Sequence, residues 1–396
     1  MTIGRSTARH LFLLLLWSGF ARAADWPQWR GPNRDGTSPE KNWVTNWPKE
    51  GPPVLWKTNV GIGCASVAVS GGRAFTLGNR KNGDTEEDTV YGFDAGTGAL
   101  VWKYSYPQPL APSGYEGGPC STPCVDGQRV YALSKTGQVR CFEAATGKVV
   151  WEHLPSKPVN TIWGGIAASP LVDGKLVIVG GIAFDKETGQ KVWTATNSCH
   201  WSSPVPFVQG DSRRIAFLSN KGLSWADPSD GKSLGFFAWP ADQNVADPVI
   251  WGDQIFISSR RAAPQEQCVL LRVGDGGGQM VWKNSNLMSY FHERVRWEEC
   301  VYGCDETSLK CVDLKTGEIK WSAPGARGQL IASDGRLILM FGGTLVVAEA
   351  SPAGYHALAK ATVVRGTTAV PPALSNGRLY CRGAQGDVVC LDLSAN

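Results

Sequence analysis

The amino-acid sequence predicts an all-β protein, an eight-bladed β-propeller of four-stranded antiparallel blades, and three observations carry this prediction. The composition is rich in Gly (47), Pro (24) and Trp (17) with only 4 Met, which favours short strands and tight turns over long helices. A phrase that ends in Trp recurs along the chain at the period of propeller blades. Strand pairs joined by Asp-Gly or Asn-Gly turns lie between its copies.

Composition and charge describe a folded globular chain. Of its 396 residues, 42% are hydrophobic and 19% are charged, and 39 Lys and Arg against 35 Asp and Glu give a net charge of +4. Residues 1–23 carry three of the positive charges, so the remaining chain is close to neutral. A nucleic-acid-binding protein would carry a basic surface. We therefore expect no nucleic-acid partner.

Residues 1–23 have the pattern of a secretory signal peptide. Arg5 and Arg9 precede an apolar run from Leu11 to Trp17, and Ala21-Arg22-Ala23 supplies a cleavage site that leaves Ala24 as the first residue. A membrane anchor is the alternative, but the run is about half of the roughly 20 residues that a spanning helix needs. We expect an exported, soluble protein of the periplasm or extracellular space, with no integral membrane segment after signal removal.

The repeat sets the number of blades. Near-complete copies of the phrase end at Trp102, Trp151, Trp193 and Trp321, and weaker copies lie around Asp227–Gly231 and Gly278–Trp282. Spacings of 46, 49 and 42 residues separate the first four outer-strand tryptophans, from Trp56 onward, a WD40-like period. The 75 residues after Trp321 have room for two more units, which makes eight.

The two ends of the chain are predicted to complete one blade together. The last unit stops at Leu391-Asp-Leu393 without its outermost strand, whereas Val54-Leu-Trp56-Lys is an outer strand without a blade of its own. Their pairing closes the ring and satisfies two exposed strand edges. The chain is thus divided into a signal peptide (1–23), an N-terminal extension (24–53) and a single propeller (54–396), which we expect to be a monomer.

Each position of the repeated phrase has a structural role. Asp or Glu and Thr hydrogen-bond the turn backbone, Gly adopts a backbone angle unfavourable for other residues, and Trp wedges between neighbouring blades. Blades four and seven keep only Asp227 with Gly231 and Ser351–Gly354, so other side chains must dock there. The predicted docking residues are Trp56, Trp102, Trp151, Trp193, Trp282, Trp321, Gly98, Gly147, Gly189 and Gly317.

The phrase resembles the tryptophan-docking motif of pyrroloquinoline quinone (PQQ)-like repeat propellers, a superfamily that holds quinoprotein dehydrogenases and the outer-membrane assembly scaffold lipoprotein. The opening, from Trp26-Pro-Gln-Trp29 to Gly36, is similar to that of exported PQQ-like proteins of planctomycete-type bacteria. The resemblance implies an enzyme site with a Trp, an adjacent Cys-Cys disulfide, a calcium ion on Glu, Asn and Asp, and an Asp base. This chain has no Cys-Cys dipeptide and no matching acidic set. We expect no catalytic residues, no cofactor and no metal. The alternative is an enzyme that uses PQQ as its cofactor.

The eleven cysteines are an odd number, so at least one is unpaired, and their pairing stays open. Cys141, Cys311 and Cys390 occupy a small-residue slot of the repeat and are interpreted as buried apolar residues. Cys300 and Cys304 are predicted to share a strand, where they lie about 13 Å apart, too far for one metal ion.

One position per blade is predicted to face the central funnel. Cys64 and Cys120 each lie three residues before the Pro-equivalent of an inner strand, and the same register picks out Ala167, Trp201 and Val245 in later blades. Such a funnel would hold a flat ligand or a peptide; the alternative is that these side chains only plug the axis. The candidate lining residues are Cys64, Cys120, Trp163, Cys199, His200, Trp201, Phe291, His292 and Arg327.

These observations predict an exported, non-catalytic binding or scaffold protein, with a protein, small-molecule or glycan ligand at the funnel or loop face. One alternative is a PQQ-dependent oxidoreductase of reduced type. Another is a polysaccharide-binding propeller that uses Trp163 and Trp201.

Overall fold

The computed structural model describes residues 24–112, 115–156, 165–260, 267–274, 276–368 and 370–394. Within these ranges every helix or strand is a β-strand, and the strands form eight sheets. Inner strands of several successive sheets contact one another, and the first sheet contacts the last. The predicted all-β, eight-bladed propeller is confirmed. The signal-peptide prediction lies outside the described residues.

The first four blades follow one another along the chain as antiparallel meanders, from the inner to the outer strand. Blade one contains β3 (Ala68–Ser70), β4 (Arg73–Asn82), β5 (Thr85–Asp94) and β6 (Leu100–Pro107). Blade two contains β7 (Cys124–Asp126), β8 (Arg129–Leu133), β9 (Val139–Glu143) and β10 (Val149–His153). Blade three contains β11 (Leu171–Asp173), β12 (Leu176–Val179), β13 (Ile182–Asp185) and β14 (Lys191–Thr194). Blade four contains β15 (Val205–Gln209), β16 (Ser212–Ser219), β17 (Gly222–Ala226) and β18 (Ser233–Ala238).

The other four blades repeat this order, and the last two also recruit strands from the N-terminal part of the chain. Blade five contains β19 (Val249–Trp251), β20 (Gln254–Ser258), β21 (Cys268–Gly274) and β22 (Gly277–Asn284). Blade six contains β23 (Val295–Trp297), β24 (Cys300–Cys304), β25 (Ser308–Asp313) and β26 (Ile319–Pro324). Blade seven contains β27 (Gln329–Ser333), β28 (Arg336–Phe341), β29 (Thr344–Glu349) and β30 (Ala357–Thr362), with β1 (Thr37–Ser38) beside β27. Blade eight contains β31 (Ala373–Ser375), β32 (Arg378–Arg382), β33 (Asp387–Asp392) and β2 (Val54–Asn59).

Strand β2 closes the ring as predicted. It pairs antiparallel with β33, and Trp56 lies opposite Cys390. The outer strand of the last blade therefore comes from the start of the chain, so the free edge of β33 is covered.

Each docking tryptophan bridges two blades. Trp102 lies opposite Gly92 in its own blade, and its indole Nε1 donates a hydrogen bond to the carbonyl of Ala144 in the next (2.9 Å). Its ring covers Gly147, where a Cβ atom would come within 2.5 Å of the indole. Gly147 has a φ of 72°, which suits glycine. The same contact joins Trp56 to Gly98, Trp151 to Gly189, Trp193 to Gly231 and Trp282 to Gly317.

In blade four, the Trp and the small residue that face each other on the two outer strands have changed places. The outer-strand position that holds Trp in six blades is Gly235 here, and the facing small-residue slot holds Trp225. A Cβ at Gly235 would lie 2.0 Å from the Trp225 ring, so the indole occupies that space. Trp225 is fully buried, and its ring reaches Gly278 of blade five. The tryptophan is thus supplied from β17 instead of β18.

The N-terminal extension follows the inner strands of the ring. Trp26 pairs with Val69 of blade one, and β1 pairs in parallel with β27 of blade seven. Further along, Trp43 is buried in the core shared by blades seven and eight, and its Nε1 donates to Ser333 (3.2 Å). No stretch of the described residues forms a helix with the length and apolar character needed to cross a membrane.

Candidate functional site

A cavity of about 640 Å³ lies where the eight blades begin, and we call it the axial cavity. Its wall is built mainly from the connections that lead into the inner strands, and every blade contributes. The lining residues are Cys64, Tyr115, Glu116, Gly118, Cys120, Lys135, Gly165, Ile166, Ala167, Trp201, Gln243, Val245, Tyr290, Phe291, His292, Glu306, Arg327, Phe341, Thr367 and Thr368.

The repeat register explains why these residues meet. In blades one to six the wall residue stands four positions before the first residue of the inner strand, as Cys64 does before Ala68. Backbone hydrogen bonds tie some of these connections together around the ring. The amide of Cys64 donates to the carbonyl of Pro119 (2.8 Å), and that of Ala167 donates to His200 (2.8 Å).

The structure places six of the nine candidate lining residues around the axial cavity: Cys64, Cys120, Trp201, Phe291, His292 and Arg327. Cys199 is buried away from it, with its thiol donating to the carbonyl of Gly180 (3.2 Å). The His200 side chain is exposed outside the cavity wall, and only its backbone carbonyl serves the connections. Trp163 lies outside the described residues.

The wall combines aromatic and charged side chains. Trp201 is half-buried, whereas Phe291 is 41% exposed and stacks on His292, with 4.4 Å between ring centroids. Burial lowers the pKa of His292 to about 4, and the nearby Arg327 cation adds to the effect, so this imidazole is neutral at pH 7.

Among the described residues, the cations on the wall are Lys135 and Arg327. Lys135 Nζ donates to the carbonyl of Gly117 (2.8 Å), and burial lowers its pKa. Arg327 donates to the carbonyl of Glu306 (2.6 Å), and its guanidinium lies 4.3 Å from the centre of the Phe341 ring. Both side chains retain donors for an anionic group on a ligand.

Two residues beyond each wall position lies a second ring of side chains, which we call the polar belt. In it a backbone amide of one blade donates to the side chain at the same position of the next blade. Ser66 donates to Thr122 (2.9 Å), and the final link runs from Glu293 to Gln329 (3.1 Å). The belt residues are Ser66, Thr122, Ser169, Ser203, Asp247, Glu293 and Gln329.

Residues 26–38 cover the belt on the side away from the axial cavity, and we call them the axial plug. Arg30 forms a buried ion pair with Glu293 (3.2 Å), and Trp29 Nε1 donates to Asp247 (2.9 Å). Arg34 donates to the carbonyl of Pro170 (2.7 Å). The plug therefore places the buried cations Arg30 and Arg34 near the two carboxylates of the belt and closes this end of the axis.

Sequence reasoning missed the belt and the plug for different reasons. The belt could have been predicted, because Asp247 and Glu293 stand two residues after the wall positions Val245 and Phe291 in the same register. The plug could not have been predicted, because Arg30 and Glu293 are 263 residues apart in the chain and no local pattern joins them. The wall residues Tyr115 and Lys135 were also not predicted, because they come from connecting loops whose lengths differ between blades.

The residues present do not fit the calcium–PQQ pair that the sequence resemblance implies. In the part of the chain that the structure describes, the acidic side chains on the cavity wall are Glu116 and Glu306. Across the described ranges, no three His, Cys, Asp or Glu side chains converge as metal ligands. The belt carboxylates of Asp247 and Glu293 are engaged by the plug.

Comparison with known proteins agrees with the repeat. The family model described as outer membrane protein assembly factor BamB matches residues 42–195 and 86–323. Quinoprotein alcohol dehydrogenase PedE of Pseudomonas putida is 34% identical over 92 residues, which is 22% of this chain but only 14% of that enzyme.

Solved structures show the same fold. BamB from Moraxella catarrhalis superposes with a TM-score of 0.63 at 15% identity, over 86% of this chain and 99% of that one. Quinohemoprotein alcohol dehydrogenase from Comamonas testosteroni gives 0.66 at 14% identity, over 95% and 82%. At such identities the likeness is one of fold, while the family model spans more than half of the chain. The protein therefore belongs to the PQQ-like repeat propellers, in the family described as outer membrane protein assembly factor BamB.

Proposed function

We propose that this protein is an exported, non-catalytic binding protein that holds a flat, mainly apolar ligand in the axial cavity. The observation that carries the proposal is that all eight blades contribute to one cavity of about 640 Å³. Ligand sites in proteins commonly measure about 300–1,000 Å³ and combine apolar walls with a few polar groups. The axial plug closes the far end, so the cavity is a pocket and not a channel.

The wall chemistry supports an aromatic ligand with an anionic group. Trp201 and Phe291 offer flat apolar surfaces, and an aromatic ring as exposed as Phe291 beside a cavity is typical of a contact surface. Lys135 and Arg327 supply positive charge, while neutral His292 adds none. A planar molecule that stacks on the aromatic residues and presents a carboxylate or sulfonate to the cations matches this wall.

The local match to a quinoprotein dehydrogenase motivates the alternative of a PQQ-dependent oxidoreductase. Two features favour binding without catalysis. The sequence has no adjacent cysteine pair, and among the described residues the acidic side chains on the wall are Glu116 and Glu306. Polysaccharide binding through Trp201 is the other alternative.

Anilinonaphthalene sulfonate is a suitable probe, because it is flat, apolar and anionic. We expect saturable binding with enhanced fluorescence, and a dissociation constant raised about tenfold in Trp201→Ala or Phe291→Ala, equivalent to about 1.4 kcal/mol. Phe236→Ala is the matched control, because Phe236 is 42% exposed on the outer strand of blade four. Absence of saturable binding, or equal affinity in all four proteins, would refute the proposal.

Two further assays address the alternatives. Reduction of an artificial electron acceptor by the protein with PQQ, calcium and an alcohol would replace the proposal with an oxidoreductase. Tight binding on a glycan array, lost in Trp201→Ala, would replace it with a polysaccharide-binding propeller. Inactivity in both assays, together with probe binding, supports the proposed function.

A further inference from the structure

Two cysteines from different blades meet on the wall of the axial cavity. Cys64 precedes the inner strand of blade one, and Cys120 precedes that of blade two. Their side chains pack in one cluster with Tyr115, Val370 and Ala384. The structure holds both as thiols.

The backbone brings this pair within bonding range. The Cys64 amide donates to the carbonyl of Pro119, the residue before Cys120 (2.8 Å), which is one of the two hydrogen bonds that join neighbouring parallel chains. Chains joined in this way lie about 5 Å apart, inside the Cα separation of roughly 4.4–6.8 Å that a disulfide spans. Gly63 and Gly118 permit this approach, because a Cβ on either would lie within 3 Å of the facing backbone.

We propose that Cys64 and Cys120 form a redox site, a dithiol that closes to a disulfide by exchange with a disulfide-containing molecule that enters the axial cavity. The inference does not depend on the proposed ligand, because bond formation is measured without one.

The two thiols differ in access and acidity. Cys120 is half-buried on the wall, whereas Cys64 is 7% exposed. A hydrogen bond between the two thiols lowers the pKa of Cys120 and raises that of Cys64. The phenol of Tyr115 also hydrogen-bonds Cys120 and lowers the pKa of its thiol further. Cys120 is therefore the attacking group, since the thiolate is the nucleophile in exchange.

The reaction consists of two exchanges. The Cys120 thiolate attacks one sulfur of the incoming disulfide, which forms a mixed disulfide and releases the first thiol. The Cys64 thiolate then attacks the Cys120 sulfur, which forms the Cys64–Cys120 bond and releases the second thiol. Two electrons pass from the protein to the incoming disulfide, and the two protons lost by the cysteines end on the released thiols.

A second pair provides an internal comparison. The thiols of Cys300 and Cys311 also hydrogen-bond, but Cys300 lies opposite Asp313 and Cys311 opposite Tyr302. They are therefore diagonal neighbours whose Cα atoms lie about 7–8 Å apart, which is beyond the usual Cα separation of a disulfide. Both are buried in the blade core. This pair is expected to stay reduced.

The test treats the full chain, folded and fully reduced, with cystamine, a small disulfide. After denaturation and alkylation, we expect nine free thiols in place of eleven, and peptide mapping should join the peptides that contain Cys64 and Cys120. Eleven remaining thiols, or a bond between any other pair, would overturn the proposal.

Variants test the assigned order of attack. Cys64→Ser should stop at one cysteamine bound to Cys120, and Cys120→Ser should bind none. Cys141→Ala is the control, because Cys141 fills a slot that holds Ala183 in blade three. It should still form the Cys64–Cys120 bond. A mixed disulfide trapped on Cys64 in Cys120→Ser would contradict the order.

Discussion

The glycine beneath each docking tryptophan is the residue on which blade packing depends most directly. Gly147 combines a φ of 72° with an indole so close that a methyl group would overlap it. Gly127, in the hairpin turn of the same blade, has a φ of 56° but no atom near its missing Cβ. A comparison of the two positions therefore separates the effect of the positive φ from the effect of packing against the indole.

Gly147→Ala is therefore expected to destabilise the protein by about 3 kcal/mol, because overlap with Trp102 adds to the backbone strain. Gly127→Ala should cost only about 1 kcal/mol, from the backbone alone. Urea unfolding of the two variants measures both values. Equal losses would show that the indole contact adds nothing.

Asp88 is the residue from which we expect a clear pH dependence of stability. Its carboxylate is buried and accepts a hydrogen bond from Asn79 Nδ2 (2.8 Å), with Lys135, Arg140 and Tyr106 nearby. Burial raises its pKa from 3.8 to about 6, because the charged form is poorly solvated there. This group therefore stabilises the fold most below pH 3.8, and its contribution is lost as the pH rises through 6.

Asp88→Asn should remove the pH-dependent contribution of this carboxyl group to the unfolding free energy. Between pH 4 and pH 7 the variant should gain up to about 3 kcal/mol relative to the natural protein, the equivalent of the two-unit shift. Other carboxylates titrate in both proteins, so the difference between their unfolding free energies isolates Asp88. A difference that stays constant with pH would contradict the assignment.

The regular part of each blade could be predicted from the sequence, because hairpin turns and strand alternation are local patterns. The exchange in blade four did not, because a search for Trp on the outer strand passes over Trp225 on its neighbour. The wall positions were found through the repeat register, whereas loops such as that of Tyr115 vary between blades.

The exchange in blade four predicts a coupled pair. Gly235→Ala should destabilise by about 3 kcal/mol through overlap with Trp225, and Trp225→Ala by about 4 kcal/mol through the loss of buried surface. The double variant Trp225→Ala/Gly235→Trp recreates the arrangement of the six blades with Trp on the outer strand, so it should cost much less than the sum of the two single changes. A double-mutant cycle with additive energies would refute this account.

Two contacts between segments that are distant in sequence hold the ring together. Strand β2 completes blade eight, and the axial plug joins buried cations to the belt carboxylates. The first was predictable, because an incomplete last blade and an unpaired first strand can only match each other. The second was not, because a repeat pattern carries no information about a segment that lies outside it.

Deleting residues 54–57 should lower the melting temperature of the whole protein in one cooperative transition. Blade eight would lose its outer strand, and the contact that Trp56 makes with blade one would be lost with it. Deleting Gly83 and Asp84, at the exposed tip of the β4–β5 hairpin, is the control and should have little effect. Circular dichroism and tryptophan fluorescence would follow both. An unchanged transition after the first deletion would count against closure.

Eight blades, closed by β2 and sealed at one end by the axial plug, enclose the axial cavity that we propose as the binding site. A crystal structure of the protein with anilinonaphthalene sulfonate would locate the bound probe. We expect one bound molecule in the axial cavity, in contact with Trp201 and Phe291, within a ring of eight blades. A probe bound only on the outer surface, or a ring with a different number of blades, would contradict it.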